Sequence, residues 1–191
     1  MGGPSLPTRL SSLHDTELAA LAAAGDRRAF GELVRRHNPA VRGLLQRMGA
    51  DPASADDLAQ DAFIAAFGSI ADFRGEGTFA GWIKRIAARL YVKRWRKSRR
   101  HIDETEALEA LTGGESETAQ RMDLDGALQS LSHAERVCVS LCYGAGFSHS
   151  EAAEALGAPL GTVKSHVKRG LDKLRSRLAP PSSGAGERVH V

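Results

Sequence analysis

The stretch "EALGAPLGTVKSHVKRGLDKL", residues 154–174, decides how the carboxy-terminal part of the chain folds. Gly157 readily takes the left-handed conformation that ends a helix, and Pro159 suits the first position of a new helix. The segment therefore predicts two helices joined by a turn of about three or four residues, which is the helix-turn-helix arrangement.

The second of these helices has two different faces. Its apolar stripe consists of Leu160, Val163, Val167, Leu171 and Leu174. In a helix-turn-helix motif the second helix enters the major groove of DNA, so side chains early in this helix are candidates for base and phosphate contacts. These candidates are Thr162, Lys164, Ser165, Lys168 and Arg169. A solvated basic helix in an ordinary bundle is the alternative.

The rest of the sequence also predicts helices. Only 5% of its 191 residues are aromatic and 42% are hydrophobic, and it has no run rich in β-branched residues. Capping boxes are predicted at Ser132 with Glu135 and at Ser148 with Glu151. We expect a short helix over residues 123–131, and we expect Cys138 and Cys142 to pack in the core.

Five helix starts are predicted in the amino-terminal half. They are N-caps at Asp15 and Asp26, a helix start at Pro39, a capping box at Ser54 with Asp57, and an N-cap at Thr78. The helix after Ser54 is expected to end near Ile70, with Ala59, Phe63, Ala66, Phe67 and Ile70 inward.

Charge is distributed unevenly along the chain. Residues 82–102 contain nine Lys and Arg residues and no acid, whereas residues 103–125 contain eight acids and Arg121 as their only Lys or Arg. The segment from about Ser98 to Gln120 also loses helical periodicity, which is typical of a flexible acidic linker. We therefore expect an all-α protein of two small helical domains joined by this linker.

Aromatic residues interleave with the first basic run. Rings stack on unpaired bases while nearby cations follow the backbone, and this combination suits single-stranded DNA. Trp82 is expected in the core. Tyr91 and Trp95 lie off the main apolar stripe, and stacking on bases and packing of the helix end are equally good interpretations of them.

A third surface is predicted in the stretch "ADDLAQDAF", residues 55–63. Helical spacing places Asp57, Gln60 and Asp61 on one face, while Leu58, Ala62 and Phe63 turn inward. This acidic face is either an ordinary solvated surface or the binding site of a basic protein partner.

Four motifs together carry a family resemblance. "ADDLAQDAF", "FRGEGTFAGWIKRIAARL", "SLSHAERVCVSL" and "FSHSEAAEALGAPLGTVKSHVKRGLDKLR" resemble, in order and spacing, regions 2 and 4 of extracytoplasmic-function (ECF) sigma factors of the sigma-70 family. The resemblance covers about residues 15–178. It implies a protein that binds core RNA polymerase, directs it to particular promoters and helps to melt them.

The resemblance also implies roles for residues. Asp57, Gln60 and Asp61 match positions that contact the β′ clamp helices of the polymerase, and a contact of region 4 with the β flap is expected. The minus-ten element would be bound by Phe73, Arg74, Lys84, Arg85, Arg89, Tyr91, Lys93 and Trp95. The minus-thirty-five element would be read by Thr162, Lys164, Ser165, His166, Lys168 and Arg169.

The chain departs from the family pattern at two positions. Arg89 stands where asparagine is frequent, and His166 replaces a frequent arginine. The implied division is an amino-terminal tail at 1–14, region 2 at 15–100, a linker at 101–121, region 4 at 122–178 and a disordered tail at 179–191. An anti-sigma factor is an expected partner.

Other functional classes fit the sequence less well. A stand-alone helix-turn-helix regulator is the main alternative, but such a protein needs no reader of single strands. No P-loop, G-x-G-x-x-G or H-E-x-x-H motif is present, so we expect no catalytic residue, cofactor or metal site. The sequence has no apolar stretch long enough to span a bilayer and no apolar segment typical of a signal peptide, so a cytoplasmic protein without membrane insertion is expected.

Overall fold

The computed structural model describes residues 10–99 and 124–178, and these ranges contain helices and turns but no strand. The all-α prediction is therefore confirmed. The helices are α1 (Asp15–Ala23), α2 (Arg27–Met48), α3 (Pro52–Gly68), α4 (Phe79–Arg99), α5 (Leu124–Gln129), α6 (His133–Val139), α7 (His149–Leu156) and α8 (Leu160–Leu178). Most of the predicted linker lies outside the described residues.

Both predicted capping boxes of the carboxy-terminal half are confirmed. The Glu135 backbone N–H donates to Ser132 Oγ at 3.3 Å, and the Ser132 N–H donates to Glu135 Oε2 at 3.0 Å. The Glu151 N–H donates to Ser148 Oγ at 3.2 Å, and the Ser148 N–H donates to Glu151 Oε2 at 2.8 Å. These bonds satisfy backbone donors that would otherwise lack partners at the starts of α6 and α7.

Two predicted helix starts are wrong by one to three residues. His14, not Asp15, is the N-cap of α1. Asp51, not Ser54, caps α3, because its carboxylate accepts from the Ser54 N–H at 3.0 Å and Pro52 follows at the first helical position. A proline is well suited to this position, since its fixed φ is already helical and its missing N–H is not needed.

The predicted break at Pro39 is also wrong, because α2 continues through it. An internal proline costs a helix about 3 kcal/mol. Four apolar side chains in the following turns are fully buried, and each contributes roughly 1.5–3 kcal/mol. These residues are Val41, Leu44, Leu45 and Met48. Burial of this face outweighs the lost hydrogen bond.

Helices α1–α4 form an amino-terminal bundle in which α2 contacts each of the other three. Phe30 of α2 meets Phe63 and Phe67 of α3 edge-on, with ring centroids 6.5 and 4.9 Å apart. The helix α3 ends at Gly68 and not at the predicted Ile70, which begins a short 3-10 turn, Ile70–Asp72. This turn leads into the loop before α4.

Helices α5–α8 form a carboxy-terminal bundle centred on the contact between α6 and α8. Gly157 ends α7 with φ +64°, and α8 begins at Leu160, so the predicted helix-turn-helix is confirmed. Gly170 lets α8 approach α6, because a Cβ there would lie 2.8 Å from Val139 Cγ2. The predicted apolar stripe is correct except at its start, where Leu160 is exposed.

The two bundles pack against each other. α2 and α4 contact α6 and α7, and buried residues of both bundles belong to one continuous apolar cluster. Leu44 of α2 lies so close to Gly144 that a Cβ at Gly144 would be 2.7 Å from Leu44 Cδ1. This packing sets the surroundings of every candidate residue on α4.

Candidate polymerase and nucleic-acid interfaces

The acidic face of α3 is open to solvent. Asp57, Gln60 and Asp61 are all exposed, and Leu58, Ala62 and Phe63 are buried, as the spacing predicts. Ile64 continues the same face one turn further and is 62% exposed. The face therefore combines carboxylates with an apolar side chain, which is a composition suited to a protein partner.

An apolar groove adjoins this face between α2 and α3. Its volume is about 720 Å³, and its walls include Phe30, Val34, Gln60, Phe63 and Ile64. Phe67 lies at its edge with 40% of its surface exposed, which corrects the expectation that this ring points inward. The sequence carried a signal for Ile64, since it lies seven residues after Asp57 on the same helical face.

The loop before α4 is built on an aromatic cluster. Phe73 is half-buried and packs edge-on against Phe79 at 5.6 Å, and its centroid lies 5.4 Å from that of Trp82. Arg74 is exposed beside it. Gly75 and Gly77 both have positive φ, so the chain turns sharply there without a Cβ penalty.

The start of α4 is capped as predicted. Thr78 Oγ1 accepts from the Gly81 N–H at 3.0 Å. Lys84 in the second turn is half-buried, whereas Lys93 in the second half of the helix is exposed. Trp82 packs partly buried against the core, as expected.

Two arginines of α4 face the carboxy-terminal bundle. Arg85 donates from Nη1 to the Gly146 carbonyl at 2.9 Å and forms an ion pair with Glu151. The guanidinium carbons of Arg85 and Arg89 lie 4.8 and 5.7 Å from the centroid of the Phe147 ring, within the range of cation–π attraction.

Tyr91 and Trp95 pack the end of α4 in this arrangement. Tyr91 is buried, its hydroxyl donates to the Met48 carbonyl at 2.7 Å, and burial raises its pKa to about 12. Trp95 is half-buried and stacks on His133 of α6 with ring centroids 5.9 Å apart. Of the two interpretations left open by the sequence, this arrangement shows helix-end packing, and base stacking by these rings stays a prediction.

The face of α8 that carries the candidate DNA contacts is largely open. Lys164, Ser165, Lys168 and Arg169 are exposed, while Thr162 and His166 are half-buried. Arg169 Nη2 lies 2.9 Å from His166 Nδ1. Burial and the positive charge of Arg169 both lower the pKa of His166. This favours a neutral ring whose Nδ1 accepts from the guanidinium.

The sequence did not predict that Glu135 of α6 would lie against α8. Only 3% of it is exposed, and it accepts from Lys173 Nζ at 2.7 and 3.0 Å and pairs with Arg169 Nε at 3.5 Å. Burial alone would raise the pKa of Glu135, but the hydrogen bonds from Lys173 and Ser132 hold it below its usual value. The carboxylate therefore ties α8 to the start of α6.

The two cysteines belong to the packing of α6 and the turn after it. Cys138 is buried and Cys142 is half-buried, and burial raises both thiol pKa values, that of Cys138 to about 12. Thiols with raised pKa values are poor nucleophiles at neutral pH. Within residues 10–99 and 124–178, no group of three or more His, Cys, Asp or Glu residues could hold a metal ion.

None of the described helices is both long enough and apolar enough to cross a bilayer.

Comparison with known families gives two matches in chain order. Sigma-70 region 2 matches residues 33–101, and Sigma-70 region 4 matches residues 127–176. The first match contains α3 and α4, and the second contains the helix-turn-helix.

Full-length relatives agree with these matches. The chain is 35% identical to the RNA polymerase sigma factor NccH of Alcaligenes xylosoxydans xylosoxydans over 175 residues, which cover 86% of this chain and 94% of the relative. It is also 35% identical to the ECF RNA polymerase sigma factor SigE of Mycolicibacterium smegmatis over 180 residues, which cover 88% of this chain and 70% of the relative.

A solved structure is also similar. The sigma factor RpoE of Bartonella quintana, crystallised with the anti-sigma factor NepR, is 25% identical with a TM-score of 0.51. The similarity covers 78% of this chain and 96% of that chain.

Proposed function

Because the chain belongs to the extracytoplasmic-function branch of the sigma-70 family, we propose that each of its exposed surfaces serves one step of promoter-specific initiation. As a sigma factor it directs transcription by core RNA polymerase, and it is an initiation factor, not an enzyme. The observation that carries the proposal is the pairing of an open acidic face on α3 with an open basic face on α8, each inside its matching family region. The match to region 2 favours this function over a stand-alone regulator.

The acidic face of α3 is proposed to bind the β′ clamp helices. Asp57, Gln60 and Asp61 present charge and hydrogen-bonding groups, and Ile64 adds an exposed apolar side chain beside them. A small apolar centre with polar groups around it is the usual anatomy of a protein interface.

The loop at 71–78 and the helix α4 are proposed to bind and melt the minus-ten element. Arg74 and Lys93 are exposed for contact with phosphates, and the cluster of Phe73, Phe79 and Trp82 gives the loop a firm base. Holding a base out of the stack costs a few kcal/mol, which contacts from this loop and helix would offset.

The exposed face of α8 is proposed to read the minus-thirty-five element in the major groove. Lys164, Ser165 and Lys168 reach outward from its early turns. Arg169 is held by His166 and Glu135, so its guanidinium is oriented before DNA arrives.

Further partners are proposed from the family. Region 4 would contact the β flap, and the acidic segment between the two regions would enter the polymerase. An anti-sigma factor is the proposed inhibitor, because the similar RpoE of Bartonella quintana was crystallised with one. Binding to polymerase and DNA implies action in the cytoplasm.

The polymerase contact is tested by co-purification with core RNA polymerase. The double variant Asp57→Lys/Asp61→Lys reverses two charges on the proposed face and should lose co-purification. The matched control, Asp72→Lys/Glu76→Lys, changes the net charge equally at two exposed acids away from that face and should retain it. Retention by the first variant, or loss by both, would contradict the assignment.

A further inference from the structure

The face of α4 that points toward α7 is held by polar contacts. Arg85 donates to the Gly146 carbonyl at 2.9 Å and pairs with Glu151. Three turns further along α4, Arg96 Nη1 donates to the Ala155 carbonyl at 3.3 Å. Contacts from α4 therefore reach the segment that leads into α7 and both the first and the last turn of α7.

An aromatic side chain completes the contact. Phe147 is 4% exposed, and the guanidinium groups of Arg85 and Arg89 lie near its ring. These arginines contact an aromatic ring and an anionic carboxylate. In nucleic acid, bases offer comparable aromatic faces and phosphates offer comparable negative charge. The carboxy-terminal bundle thus presents nucleic-acid-like chemistry to α4.

The far end of α4 is covered by a different element. His133 at the start of α6 stacks on Trp95, and its Nε2 lies 3.5 Å from the buried Tyr91 hydroxyl. Both rings that could stack on separated bases are therefore packed against the carboxy-terminal bundle.

A cleft of about 580 Å³ remains between α4 and α7. Its α4 wall carries Arg89, Lys93, Arg96 and Lys97, and its α7 wall carries Glu151 and Glu154. Opposite charges face each other across this cleft. Hydrogen bonds from Ser148 and Arg85 lower the pKa of Glu151 to about 2, so this carboxylate stays charged at neutral pH.

We propose that Phe147, Glu151 and Glu154 form an intramolecular docking surface for α4, and that single-stranded DNA competes with this surface for the same face. The inference rests on the proposed role of α4 in binding separated strands. With the two bundles packed together, region 4 engages three of the eight candidate minus-ten residues, Arg85, Tyr91 and Trp95, and Phe147 lies beside the exposed Arg89. Separation of the two regions would uncover these three side chains together.

Neutralising one carboxylate tests the docking surface. Glu151→Gln removes the charge that pairs with Arg85 but keeps a side chain that can complete the capping box. Asp172→Asn is the matched control, because it removes one exposed carboxylate of α8 that pairs locally with Arg175. Affinity for fluorescein-labelled oligo(dT), measured by anisotropy on the full chain, should rise about threefold in Glu151→Gln and less in the control.

Opening of the contact is measured separately by tryptophan emission. The chain has two tryptophans, so a Trp82→Phe background leaves Trp95 as the sole reporter. Glu151→Gln in this background should shift the emission to longer wavelength, since Trp95 loses its packing on His133 and becomes hydrated. Asp172→Asn should leave the emission unchanged.

Two results would overturn the inference. An unchanged Trp95 emission in Glu151→Gln would show that this carboxylate does not hold the regions together. A shifted emission with oligo(dT) affinity no higher than in the control would show that the contact exists but does not compete with DNA. Co-purification with polymerase reports the proposed function independently, so failure of that function is recognised separately.

Discussion

The two basic helices α4 and α8 carry similar charge but have different surroundings. On α8 the candidate DNA contacts Lys164, Ser165 and Lys168 face solvent. On α4 the candidates Arg85 and Tyr91 are engaged by the opposite bundle or by the end of α2. The proposed duplex-binding face of α8 is therefore open while the two bundles are packed together, whereas part of the proposed strand-binding face of α4 becomes available only when they separate.

The largest expected effect comes from forcing α8 away from α6. Gly170→Ala places a Cβ 2.8 Å from Val139 Cγ2, which should lower the free energy of unfolding by about 1–3 kcal/mol. A Cβ at Gly161 on the same helix meets no described atom within 4 Å, so Gly161→Ala should cost nothing and can gain up to about 1 kcal/mol. Urea unfolding of both variants checks this, and equal stabilities would refute the close contact.

The open face of α8 is tested by duplex binding of the chain without polymerase. Lys164→Ala and Arg169→Ala should each weaken binding to promoter DNA, by about 1–3 kcal/mol for a base contact and less for a phosphate contact. Arg85→Gln should not weaken duplex binding, because Arg85 is bonded to Gly146 and Glu151 and lies on another helix. Equal losses of duplex affinity at Arg85 and Lys164 would contradict the proposed difference between α4 and α8.

Packing of α4 is tested by the smaller change Tyr91→Phe. This variant removes the hydrogen bond to the Met48 carbonyl and should cost about 1 kcal/mol of unfolding free energy. Tyr143→Phe is the control, since Tyr143 is 66% exposed. A Tyr91→Phe variant as stable as the control would contradict the hydrogen bond to the Met48 carbonyl.

The pH dependence of the stability of wild type and Tyr91→Phe provides a further test of this packing. The pKa of Tyr91 is raised to about 12, above the unfolded value of about 10. Its neutral form is therefore favoured by folding, and that stability is complete below pH 10 and is lost as the pH rises toward 12. The stability advantage of wild type over Tyr91→Phe should shrink across this window in urea unfolding. A constant difference would contradict burial of the hydroxyl.

Much of the local structure follows from the sequence. Ser132, Ser148, Thr78 and Gly157 mark helix ends through chemistry that operates within a few residues, and the structure confirms each of them. The predicted helix start at Pro39 is wrong because the free-energy cost of an internal proline is local, whereas the burial that offsets it depends on the packing of the whole bundle.

The candidate sites also differ in how far the sequence alone predicts them. Helical spacing predicts the exposed face of Asp57, Gln60 and Asp61, because that face depends on one helix alone. The contact of Arg85 with the carboxy-terminal bundle and the contact of Glu135 with α8 both join residues that are far apart in the chain. A single sequence carries no direct signal for such pairs.

As a sigma factor, this chain directs core polymerase to particular promoters. The most direct measurement adds the purified protein to core RNA polymerase lacking any other sigma factor, transcribes genomic DNA and sequences the transcript starts. We predict a limited set of starts that share minus-ten and minus-thirty-five elements, and the loss of these starts with Asp57→Lys/Asp61→Lys. Initiation no better than that of core polymerase alone would contradict this prediction.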